Sequence, residues 1–154
     1  MFRWDAATQE TRVFLTTTSN VNALGFGPEP DVLYAGLATS VLRVPILPDG
    51  TAGTPYVYAS GFSEVDGLVF DAGGNLYVGC PNTNTLFVVP YVAGGPSSPT
   101  RSFTNVGGNV SRFVNVTYGP PAFGETALYW TNLGNRSVGR LDAGLPPLDP
   151  PLAR

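Results

Sequence analysis

The chain repeats itself. Val21-Asn22-Ala23-Leu24-Gly25-Phe26 answers Val65-Asp66-Gly67-Leu68-Val69-Phe70, Leu33-Tyr34-Ala35-Gly36 answers Leu76-Tyr77-Val78-Gly79, and Leu42-Arg43-Val44-Pro45 answers Phe87-Val88-Val89-Pro90, at offsets of 43 to 45 residues. A looser third copy sets Val116 and Tyr118 against Leu68 and Phe70, and Leu128-Tyr129-Trp130 against Leu76-Tyr77-Val78. Val138 to Asp142 follows as its third strand, and an insertion, Pro120-Pro121-Ala122-Phe123-Gly124, stretches its first turn. Four short strands in a unit of about 45 residues make a propeller blade, and the period is too long for a leucine-rich or ankyrin unit.

The best-formed unit starts with Val65 to Cys80. Leu68-Val69-Phe70 is an apolar strand, Asp71-Ala72-Gly73-Gly74-Asn75 a turn whose two glycines are expected to supply positive φ, and Leu76-Tyr77-Val78 the returning strand. Nineteen glycines and fifteen prolines suit a chain that turns every few residues and oppose a helical one. The fold class expected is all-β, a partial β-propeller of about three four-stranded blades with a six-bladed parent architecture.

The ends of the chain extend the pattern. Arg3-Trp4-Asp5-Ala6 matches Arg140-Leu141-Asp142-Ala143, so the chain is expected to begin at the third strand of one blade and stop after the third strand of another. That divides residues 1–144 into a blade remnant, 1–20, and blades 21–64, 65–109 and 110–144, followed by a proline-rich tail, 145–154, expected to run extended over the surface. The count is 13 strands, whereas closed propellers use about four to eight four-stranded blades. Each open end would leave a blade face bare, which makes self-association into a ring an expected partnership, unless further sequence closes it.

Composition removes several chemistries. There is no histidine, all eight basic residues are arginine, and Cys80 is the one cysteine. A Ser-His-Asp device, a Schiff-base lysine, an intramolecular disulfide and a cysteine-rich zinc cage are therefore excluded, and any metal must be held by oxygen. A net charge of -3 with scattered arginines argues against a nucleic-acid partner, and no apolar run is long enough to cross a bilayer. No export signal is visible at Met1. The lysine-free, Ala-, Gly-, Pro- and Arg-rich composition points to a GC-rich, bacterial gene; the compartment is left open.

In order along the chain, Phe2-Arg3-Trp4-Asp5-Ala6-Ala7-Thr8, Val21 to Phe26, Val65 to Asp71 with Gly74-Asn75-Leu76-Tyr77-Val78, and Val114-Asn115-Val116-Thr117-Tyr118-Gly119 resemble the C-terminal half of the gluconolactonase, regucalcin and luciferin-regenerating enzyme family. NHL-repeat and strictosidine-synthase-like propellers share the middle pattern, and Leu128-Tyr129-Trp130-Thr131-Asn132 resembles the YWTD repeat of lipoprotein receptors. The resemblance implies a divalent cation, calcium or zinc, at the channel mouth. Its asparagine and aspartate ligands fall on Asn22 and Asp66, with Val21 and Val65 in place of the usual prolines, and the remaining ligands would lie before Met1. It implies a small lactone or sugar-acid ligand, with Asp66 as metal ligand and general base of a lactone hydrolase. The third copy puts Val114 at the ligand position, and Asn115 reaches it after a one-residue slip.

Two ligands fall short of the six to eight oxygens, roughly, that calcium takes, so a second reading stands beside the first. Asn22 and Asp66 also suit turns in which an Asx side chain bonds nearby backbone. The three readings carried forward are a binding or assembly module with a residual metal site, a metal-dependent lactonase completed by dimerisation or further sequence, and an NHL- or YWTD-like interaction module without metal. Cys80 reads as a packed residue, and the sequons at Asn109, Asn115 and Asn135 matter only in a secreted eukaryotic protein.

Overall fold

The computed structural model describes residues 1–104, 113–118, 126–132 and 136–147. The Pro120 to Gly124 insertion, Asn109, Asn135 and the tail beyond Pro147 lie outside the described residues. Among the described residues thirteen strands, all antiparallel to their neighbours, form four separate sheets. A hairpin of β1 (Phe2–Asp5) and β2 (Glu10–Val13) comes first. A four-stranded meander follows, β3 (Ala23–Phe26), β4 (Val32–Gly36), β5 (Ser40–Pro45) and β6 (Tyr56–Ser60). The same meander recurs as β7 (Gly67–Phe70), β8 (Leu76–Cys80), β9 (Thr85–Val89) and β10 (Arg101–Thr104). The last sheet holds β11 (Phe113–Tyr118), β12 (Ala127–Asn132) and β13 (Ser137–Asp142). This is a partial β-propeller.

The sheets stack because both faces of the middle strands are apolar. β4 and β8 are buried along their whole length, with alternate side chains entering different cores. Tyr34 and Val32 enter a core shared with Phe70, Val65, Leu76 and Val78 of the next sheet, whereas Leu33 and Ala35 face Met1, Phe14 and Leu15 beside the first hairpin. Tyr77, Leu86 and Val88 then meet Val116, Leu128 and Trp130 of the last sheet. Aromatic pairs mark both inter-sheet cores, Tyr34 on Phe70 with centroids 4.8 Å apart and Tyr77 edge-on to Tyr118 at 6.4 Å.

The turns show why the repeat is legible. Between β7 and β8 the Asp71 carboxylate accepts the Asn75 amide and the Asn75 side-chain NH2, each at 2.9 Å, and the Tyr77 hydroxyl donates to it at 3.2 Å. Of the two glycines there, only Gly74 takes a positive φ, +82°, because the bonds to Asp71 close the turn with a single left-handed residue. Asp5 accepts the amide of Ala7 and Asp142 that of Gly144, so the matched ends of β1 and β13 are tied off alike. The tail does not start free: Ala72 N donates to Pro146 O at 2.8 Å, and Asp71 bridges to Pro147.

Candidate functional site

Asn22 and Asp66 stand immediately before the innermost strands of the two complete sheets. The Asn22 amide donates to Gly36 O at 3.0 Å and the Asp66 amide to Gly79 O at 2.9 Å, and Gly36 and Gly79 are themselves matched by the repeat. β3 and β7 run side by side, so close that a Cβ added at Gly25 would lie 3.5 Å from the Leu68 Cβ. The two side chains therefore start from equivalent points on adjacent strands.

Their surroundings differ. Asn22 is exposed and lines an open cleft of about 700 Å³ with Met1, Leu15 and Leu24, whereas Asp66 is half-buried. Burial, and then the nearby Glu64 charge, raise the Asp66 carboxyl above the ordinary carboxylate range. Among the described residues neither side chain is hydrogen-bonded to protein, in contrast to Asp5, Asp49, Asp71 and Asp142, which all cap backbone amides.

Asn115 falls elsewhere in its strand. It is the extra residue of a bulge between the pairs Val114 to Thr131 and Val116 to Trp130, two residues inside the start of β11, and its side chain lies outside those described. Among the described residues no three acidic or cysteine side chains cluster as a metal cage. Cys80 is fully buried, and its thiol is pushed up to about 11 by burial, so it is a packing residue.

A second polar cluster was not singled out in the sequence. Arg43 holds the Glu29 carboxylate with Nε, at 3.0 Å from Oε1, and with Nη2 on Oε2, and the Tyr34 hydroxyl donates to Oε1 at 3.0 Å. The Arg43 guanidinium holds the Glu29 carboxyl below its usual range, and burial raises the Tyr34 hydroxyl. Glu64, the charge nearest Asp66, was also passed over, although its place two residues upstream was a usable signal.

No sequence-family model and no curated protein matches the chain. Solved structures do. The chain aligns over 96% of its length with 47% of a protein assigned as a gluconolactonase, at a TM-score of 0.72 and 18% identity. It aligns over 92% of its length with 47% of a luciferin-regenerating enzyme, at 0.68 and 15%. It also aligns over 96% of its length with 42% of the hydrazine synthase of Kuenenia stuttgartiensis, at 0.67 and 19%. The chain spans less than half the length of each, and at these identities the likeness is one of fold.

Among the described residues no helix is long and apolar enough to cross a membrane.

Proposed function

We propose that the chain is a half-ring binding and assembly module on a gluconolactonase-like propeller fold, carrying two ligands, Asn22 and Asp66, of a residual divalent-cation site. The observation that carries this reading is the equivalent placement of the two side chains on adjacent inner strands, each without a protein partner among the described residues. An amide oxygen and a carboxylate are hard donors suited to calcium and acceptable to zinc. Such an ion, once bound, would polarise the carbonyl of a small lactone or sugar acid.

Two donors from this chain fall short of the roughly six to eight oxygens of a calcium site, so no hydrolytic step is assigned to the chain alone. Asn22 and Asp66 offer binding, with the remaining donors coming from solvent, from ligand or from another segment. The luciferin-regenerating enzyme and the protein assigned as a gluconolactonase are neighbours in fold, and the hydrazine synthase, at a similar TM-score, shows how widely activity varies on this fold.

Calorimetric titration of the intact chain with calcium and with zinc tests the reading. Saturable binding that Asp66→Asn abolishes is the expected result. No binding of either ion would overturn the cation site and favour a metal-free interaction module, whereas metal-dependent lactone hydrolysis by the chain would favour the enzyme.

A further inference from the structure

The repeat supplies its own calibration of what each sheet face is built to touch. Leu68 and Phe70, on the side of β7 that meets the preceding sheet, are 7% and 2% exposed, and Val116 at the matching place in β11 is 3% exposed. Leu24 and Phe26 hold that place in β3 and are 51% and 55% exposed. On the opposite side, Val41 and Leu86 pair across to Gly36 and Gly79 and are fully buried, whereas Val138, paired to Thr131 in the same position, is 69% exposed. One end of the stack therefore bares the residues that elsewhere receive a sheet, and the other bares a residue that elsewhere is pressed onto one. Beside Leu24 and Phe26 lies an apolar cleft of about 390 Å³, walled among others by Phe14, Leu33 and Ile46, where the inner strands of a preceding blade would lie.

We infer that the β3 end of one copy receives the β11–β13 sheet of a second copy, head to tail, closing two half-rings into one propeller. This rests on the half-ring reading proposed above but not on its cation site. A second copy fits this place. The interface continues one that the chain already makes twice, with a middle-strand tyrosine against an inner-strand aromatic: Tyr34 on Phe70, then Tyr77 on Tyr118, and next in the series Tyr129 on Phe26 of the partner copy. A heterologous contact repeated twice about one axis also closes on itself, leaving neither end bare.

Closure leaves one strand over, because β1 and β13 both hold the third place of a blade. β1 is the one released. It has four residue pairs with β2 against six between β12 and β13, and its Phe2 and Trp4 are exposed. β2 then completes the sheet as its fourth strand.

Light scattering should give twice the 16.2 kDa chain mass at micromolar concentration, and Phe26→Asp, at an exposed position, should return the mass to one chain with an unchanged circular dichroism spectrum. Phe26→Cys and Tyr129→Cys, prepared separately and then mixed, should be joined by a short bis-maleimide, while neither joins to itself; buried Cys80 is a spectator. A monomer for the unsubstituted chain would overturn the inference, as would self-linking of Phe26→Cys, which signals a face-to-face contact. Cation titration of the same samples is read independently, so loss of association and loss of the metal site are distinguishable.

Discussion

Arg43 grips Glu29 at both carboxylate oxygens, across the open end of the β3–β4 turn, while Tyr34 donates a third bond to the same carboxylate. The pair is largely shielded from water, its side chains 14% and 20% exposed, which makes it worth more than an ordinary surface ion pair.

Glu29→Gln should therefore lower the unfolding free energy by about 1.5–3 kcal/mol at pH 7, as measured by urea titration. The pH dependence has a definite sign. Since the folded carboxyl lies below its ordinary 4.5, its contribution is complete above that value and is lost as pH falls through the lowered folded pKa. The gap between wild type and Glu29→Gln should close in that acid window; a gap that stays constant down to pH 2 would contradict the assignment.

Asp66 carries the opposite sign. Its carboxyl is raised above the ordinary 3.8 by burial and by Glu64, so its ionisation opposes folding increasingly as pH rises from 3.8 through the raised value. Asp66→Asn should melt at a higher temperature than wild type at pH 7 and at the same temperature below pH 3.8, with no cation present. Added calcium should narrow the difference at pH 7, because only the carboxylate gains from the ion.

Gly36 marks a close approach. A Cβ there would meet Val65 Cγ1 at 2.5 Å and the Ala23 Cβ at 3.2 Å, both in packed surroundings. Gly36→Ala should cost about 1–3 kcal/mol, the usual penalty for overpacking. Gly61→Ser, with open space around it but a φ of +93°, tests backbone strain separately. Thermal melts of the two variants should show that crowding at Gly36 costs more.

Cys80 should resist alkylation. With its thiol pushed up to about 11 and no exposed surface, it should remain unmodified by iodoacetamide at pH 8 in the folded chain and react fully in guanidinium, as read by intact mass. Rapid labelling without denaturant would place it at the surface.

Much of the architecture was legible in the residues. Alternating apolar positions and Gly- or Asp-bearing turns recur at nearly constant spacing, and Asp5 and Asp142, matched in the sequence, tie the same turn in the fold. Pairing in register was not legible. Glu29 and Arg43 are fourteen residues apart, and only the alignment of Tyr34 opposite Arg43 brings both to one carboxylate. Nothing in Val114-Asn115-Val116 announces that Asn115 is a bulge residue, since a bulge is decided by the partner strand. The exposure of Phe26, at 55%, is the bare blade face expected of an open end, since it depends on which sheet stands beside β3 rather than on its own segment.

The carboxylate-to-amide bonds at Asp5 and Asp142 set how the chain leaves a third strand. Each is made to a residue two positions on, Ala7 and Gly144, so the direction of departure is fixed by local chemistry and does not wait for a neighbouring sheet to arrive.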